Sequence, residues 1–130
     1  MKIQTTKEHF EIFKRGADRW IKFFGLTEWE VYYSHKKLNG LKAQCSYNLV
    51  ARNATLSLST HYTDGIIDYN LEDDIRQSAF HEVCELLIGP LRSMVEQRFV
   101  LGIDDVNEEC HRIIRRLENS VFKGKQNDSI

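Results

Sequence analysis

The chain has 130 residues, of which 42% are hydrophobic and 28% charged, and its formal net charge is -1. That length suits one domain with one core, and the balance is globular rather than disordered. A near-zero charge supplies no general attraction to nucleic acid or anionic lipid, so neither is expected as a partner.

Met1 to Phe13 mixes charges among its apolar residues and holds no apolar core of a signal peptide. No run approaches the ~18 consecutive apolar residues of a membrane span. The cysteines, Cys45, Cys84 and Cys110, are odd in number and widely spaced, which does not suit a disulfide framework. A reducing, cytoplasmic setting is therefore expected. No C-x-x-C pair exists, which excludes a cysteine-rich zinc finger.

Thr5-Thr6-Lys7-Glu8 offers a capping box, with Thr5 as N-cap and Glu8 three residues on. Phe10, Phe13, Ala17, Trp20, Ile21 and Phe24 then recur on one stripe, predicting a helix over about residues 5–24 that Gly25 stops. Trp29 to Tyr33 is aromatic and β-branched, Lys42 to Val50 is a second strand candidate, and Ala54 to Ser59 alternates apolar with small polar residues. Asn39-Gly40 and Ala51 to Asn53 supply turns between them. Three consecutive strands with short connections predict a three-stranded antiparallel meander.

Tyr62 to Asn70 reads as a loop ending in a cap at Asn70, followed by the favourable acids Glu72, Asp73 and Asp74. The helix they open is expected to reach about Ile88, to be broken or kinked by Gly89-Pro90, and to continue as a short piece over Leu91 to Phe99. Leu101 to Asp105 reads as a loop. Val106, Cys110, Ile113, Ile114, Leu117 and Val121 form the stripe of a final helix, and Lys123 to Ile130 reads as a frayed tail. The expected architecture is a single α+β domain over 1–130: N-terminal helix, meander, long helix and C-terminal helix.

The long helix carries His81-Glu82-Val83-Cys84-Glu85. Residues four apart share a helix face, so His81 and Glu85 can grip one metal ion. Glu82 lies about 100° around the helix, beside that ion without being forced to bind it. The same logic underlies H-E-x-x-H, where the Glu acts as general base. As a string alone, H-E-x-x-E also fits an ordinary solvated face, but here it is embedded in Ala79-Phe80 and Leu86-Leu87-Ile88, and polar groups beside so much apolar surface need partners.

Together with the Trp that opens the first strand, the Ala-Thr-Leu-Ser-Leu strand and the Glu-Glu-Cys-His-Arg run of the last helix, this order resembles the minimal zincin-like proteins of bacteriophages and prophages, relatives of gluzincin metallopeptidases. The resemblance spans roughly residues 27–120. It implies a zinc peptidase-like fold, a third metal ligand that is a Glu on the downstream helix, and an edge strand, here Ala54 to Ser59, that holds an extended peptide. Glu108, Glu109 and His111 are the positions that can match the third ligand. Helical phase turns Glu108 toward solvent and leaves Glu109 and His111 on the flanks of the apolar stripe. Glu109 fits both phase and ligand type; His111 is the alternative, as ligand or as a group orienting one.

A His81/Glu85/Glu109 set would place two carboxylates on the ion where H-E-x-x-H places one. The ion then draws less charge from its water, and the preference for Zn2+ over Mn2+ or another divalent ion loosens. Two functions follow as expectations. One is a metal-dependent hydrolase, a zinc peptidase-like enzyme with Glu82 as base. The other is a catalytically inactive binding protein on the same scaffold, engaging a host or phage protein. Both take a peptide or protein as substrate or partner. Arg112, Arg115 and Arg116, with Arg92 and Arg98, read as a mixed charged face or a contact for an acidic partner. Tyr32, Tyr33, Tyr47 and Tyr62 read as a contact surface or as the half-buried face of the sheet.

Overall fold

The structure is a computed structural model, and it describes residues 3–62, 70–96 and 102–124. In chain order the elements are β1 (Ile3–Gln4), α1 (Lys7–Phe23), β2 (Glu30–Lys36), β3 (Ala43–Asn48), β4 (Asn53–Ser59), β5 (His61–Tyr62), α2 (Leu71–Glu96) and α3 (Ile103–Leu117), the last continuing into a π-helical turn over Glu118–Phe122. The α+β class expected from the sequence is what these elements form. No helix among the described residues is long and apolar enough to cross a membrane.

The N-terminal cap is shifted by one residue from the expected box. Thr6 is the N-cap and His9 the reciprocal partner, with His9 Nδ1 accepting from the Thr6 amide at 3.0 Å. Thr5 is drawn away because β1 pairs antiparallel with β5, an interaction the short segments did not advertise. The Thr5 hydroxyl donates to the Ser59 carbonyl at 2.7 Å, so the His35 Nε2 at 2.7 Å must be the donor to Thr5. Gly25 ends the first helix as expected, with the left-handed φ of 69° that favours glycine.

The three-stranded sheet is not a meander. Its order is β2-β4-β3, with β4 parallel to β2 and antiparallel to β3. The connection over 37–42 carries the chain past the central position, and β4 then fills it. Burial explains why the last strand takes the centre: Ala54, Leu56 and Leu58 are all buried on the face toward the helices, and Ser57 and Ser59 are buried on the other. No other strand is apolar enough to occupy a position with neighbours on both sides. The register places Val31, Tyr33 and His35 of β2 and Ala43, Cys45 and Tyr47 of β3 on the helix-facing side with those residues. The opposite side is polar, and Ser34 and Ser57 join hydroxyls across it at 2.6 Å. The tyrosines therefore do not share a surface: Tyr33 and Tyr47 face the helices, Tyr32 faces outward and Tyr62 is fully buried.

α1 and α2 cover the helix-facing side. Phe13, Ala17 and Ile21 from α1 meet Ile75, Ala79, Val83, Leu86 and Leu87 from α2 in one core with β4. The helices approach closely at Gly16, where an added Cβ would lie 3.4 Å from that of Ala79.

Asn70 opens α2 as expected, its side-chain oxygen accepting from the Glu72 amide at 2.9 Å. The break expected at Gly89-Pro90 does not occur, and α2 continues through Pro90 to Glu96. Proline removes the amide that would bond the Leu86 carbonyl, and the helix is held to β3 beside this gap by the Tyr47 hydroxyl, which donates to the Gly89 carbonyl at 3.2 Å. Residues 97–101, including Arg98 and the end of the expected second piece, lie outside the described residues, as do residues 63–69 of the expected loop and 125–130 of the tail.

α3 begins at Ile103, earlier than expected, and is rotated about its axis. The buried and half-buried residues are Val106, Glu109, Cys110, Ile113, Arg116 and Ser120, a face turned from the apolar stripe toward its Glu109–Arg116 flank. Ile114, Leu117 and Val121 are correspondingly exposed by 48%, 38% and 49%. Polar anchors set this rotation. Arg116 donates to the Gly25 carbonyl at 2.6 Å and pairs with Glu28 at 2.6 Å, which ties the helix to the end of α1 through its polar flank. All three cysteines are free and half-buried.

Candidate metal-binding cleft

α2 runs beside β3, and the inward residues of that strand mark its path. Ala43 lies opposite Ser78 and Glu82, and Tyr47 reaches Gly89. Cys45 sits between them, its thiol pushed up to about 12 by burial, with the charges of Glu82 and Glu85 adding. A cleft of about 340 Å³ opens at the N-terminal end of β3, with Lys42 and Ala43 on one side and Asp74, Gln77, Ser78, His81 and Glu82 on the other. Among the described residues β3 has a strand partner on one side only, β4. The strand at the edge is thus β3, and Ala54 to Ser59, expected there, is the interior strand.

His81 and Glu85 share one face, as their spacing requires, with His81 Nε2 3.5 Å from Glu85 Oε1. His81 is largely exposed. The other oxygen of Glu85 is held by Arg92 Nη1 at 2.7 Å, and Arg92 also approaches Glu96 at 3.9 Å. Glu82 is different in kind. The residue as a whole is only 8% exposed, yet its carboxylate, which makes no hydrogen bond to a described residue, reaches the solvent of the cleft. Burial pushes its carboxyl above the usual range; Glu85 adds to the rise and His81 opposes it. A carboxyl with its pKa raised in this way, beside an open cleft, is a candidate proton acceptor.

The remaining charge at the cleft is balanced. Lys42 meets Asp74 at 3.2 Å and lies over the Tyr62 ring, 5.5 Å from its centre. The Tyr62 hydroxyl bonds Ser78 at 2.7 Å, and burial holds the phenol above its ordinary range. Sequence reasoning did not single out Lys42, Asp74 or Ser78. Asp74 stands seven residues before His81, two turns along the same face, and that spacing was the available signal.

Glu108, Glu109 and His111 stand apart from this pair. Glu109 turns inward as its phase implied, but it bonds Arg112 at 2.5 Å and lines a different cavity, against Leu86, Leu87 and Pro90. Glu108 is exposed and pairs with the same arginine at 3.1 Å. His111 is exposed, its Nδ1 2.8 Å from the Asn107 carbonyl. Among the described residues no group of three or more His, Cys, Asp or Glu is close enough to hold an ion. His81 and Glu85 are brought together with Glu82 beside them on the same turn, and no third protein donor joins the pair among the described residues.

No family profile matches the chain, and neither the curated proteins nor the solved structures compared with it give a match.

Proposed function

We propose that the cleft between β3 and α2 is the active site of a metal-dependent hydrolase acting on peptides. The observation that carries this reading is Glu82, a carboxyl on the wall of the cleft with no hydrogen-bonding partner among the described residues and a pKa raised by burial, next to His81 and Glu85 on one helical turn. A carboxylate partly withdrawn from water without a partner is destabilising, and a role as general base is a reason for a fold to keep one.

The donors suit an ion held by two side chains. His81 and Glu85 supply one nitrogen and one oxygen from a single turn, leaving the ion's other positions to water; the three-ligand zinc centre that the zincin resemblance implies needs one donor more. Oxygen-rich, water-rich coordination widens the choice from Zn2+ to Mn2+ and related ions. When bound, such an ion acidifies a water and polarises a carbonyl. The chain's own residues supply the rest. Glu82 takes the proton of the attacking water and returns it to the leaving amine. The open side of β3 accepts the substrate as an added strand, which aligns its carbonyl along α2. A bacteriophage or prophage origin belongs to the same proposal.

A second reading is a non-catalytic binding protein on this scaffold, and one observation favours it. Glu85 and Glu109 are each already neutralised by an arginine, Arg92 and Arg112. One experiment separates the two. The purified protein, supplied with Zn2+ or Mn2+, is assayed on a fluorogenic peptide library and analysed for bound metal. The hydrolase reading expects Glu82→Gln to lower kcat by about a hundredfold or more with metal content unchanged, and His81→Ala to lower both. Metal-free protein without hydrolysis leaves the binding reading standing.

A further inference from the structure

A second cavity, of about 510 Å³, lies on the far side of α2, between the start of β2, the β3–β4 turn and α3. That is the size of a small-molecule site. Its floor is apolar: Leu26, Leu86 and Leu87 are buried, and so is Trp29. Its charged lining is Arg52, Arg112 and Arg116 against Glu28 and Glu109, three positive groups less two negative, or +1. The pairing assigns the surplus. Arg116 is matched by Glu28 at 2.6 Å and Arg112 by Glu109 at 2.5 Å and, outside the cavity, by Glu108 at 3.1 Å, so Arg52 is the lining cation without an acid among the described residues. Its guanidinium is instead laid over the Trp29 ring, 5.2 Å from the centre.

The backbone of Arg52 carries an independent sign. It is the non-glycine residue with positive φ, at 56°, among those described. Arginine has no preference for that conformation, and Gly or Asn would relieve it. Strain of this kind is kept where the side chain has work to do. Here it fixes a planar, five-donor fork over an aromatic wall at the mouth of an apolar cavity.

We propose that this cavity binds a small organic carboxylic acid with an apolar or aromatic body, its carboxylate taken by Arg52 and its body lying against Trp29 and the leucines. A guanidinium matches a carboxylate in a bidentate fork. One surplus charge is neutralised by a monoanion, whereas a phosphate dianion would leave the site negative. The inference does not depend on metal or hydrolysis in the other cleft.

The test uses phenylacetate as probe and the full chain, read by two-dimensional amide and indole NMR. The chain has two tryptophans, and Trp20 lies on α1 against Phe80, away from this cavity. The expected result is saturable movement of one indole resonance, that of Trp29. Arg52→Gly is expected to weaken binding by about tenfold or more while raising Tm, because glycine fits the left-handed backbone. That split between affinity and stability is not what a merely structural arginine would give. No saturable shift up to about 10 mM probe, or unchanged affinity in Arg52→Gly, overturns the proposal. So does equal binding of phenethylamine, which has the same ring and no carboxylate, or of inorganic phosphate. A short peptide with phenylalanine at its C-terminus binding more tightly than phenylacetate overturns the small-acid assignment.

Discussion

Glu82 shows how one carboxyl links stability to pH. Its pKa is raised in the folded protein, chiefly by burial. The contribution of such a group is greatest when it is protonated, below the ordinary carboxylate range, and is lost as pH rises through the raised value. Glu82→Gln keeps the shape and removes the charge. It is therefore expected to raise Tm at pH 7, with the gain shrinking as pH falls toward about 4, in thermal melts recorded across that range. A Gln variant less stable at pH 7 would mean that the carboxylate has a favourable partner. At this scale the sequence was a good guide where spacing alone decides. The i, i+4 pair of His81 and Glu85 was legible because a helix fixes it. Arg92, which holds Glu85 from seven residues away, was seen only as part of a basic cluster, since its choice of acid depends on rotamers and on what else is near. The N-cap was misassigned between Thr5 and Thr6 because the competitor for Thr5, the Ser59 carbonyl, is 54 residues distant.

Element boundaries failed where a tertiary contact outweighs a local preference. Gly89-Pro90 is a fair stop signal taken locally, yet α2 passes through it against the ring and hydroxyl of Tyr47. The same contact decides the effect of a substitution. Gly89→Ala would ordinarily stabilise a helix by about 1 kcal/mol. Here the new Cβ would meet three Tyr47 ring atoms at 3.1 to 3.4 Å, on a ring tethered to the Gly89 carbonyl. We expect a net loss of about 1 kcal/mol in urea unfolding, reversed toward a gain when Tyr47→Phe unties the ring; additive losses would contradict the account. α3 makes the same point in another form. Its apolar stripe was read correctly, but the helix is turned until Glu109 and Arg116 face inward, because guanidinium bonds to Gly25 and Glu28 fix the angle. Periodicity gives a helix its stripe and not the partner that will choose between stripe and flank.

For the molecule as a whole, the described structure is a core shared by α1, α2 and β4, to which α3 is attached by the apolar packing of Ile113 and by the polar contacts of Arg116. Arg116→Ala is expected to lower global stability by about 1–3 kcal/mol, and to speed hydrogen exchange in α3 well before exchange in α2. Uniform acceleration across both helices would show instead that α3 is integral to the core. The three strands of the larger sheet lie near their expected positions, but β1 and β5 were not foreseen and neither was the strand order. Alternation reports which residues face inward and is silent on which strand lies between the other two.

That interior place for β4 bears on how the chain finds its shape. β3 and β4 meet through the short turn at 49–52, whereas β2 reaches β4 only by closing the longer loop that contains all of β3. The hairpin should therefore be assembled in the transition state, with β2 added on the downhill side. In stopped-flow kinetics, Leu56→Ala should slow refolding, and Val31→Ala should mainly hasten unfolding. Direct pairing of β2 with β3 across Asn39-Gly40 is the nearer match along the chain, so early closure of the β3–β4 hairpin is what keeps the chain from the meander that its order suggests.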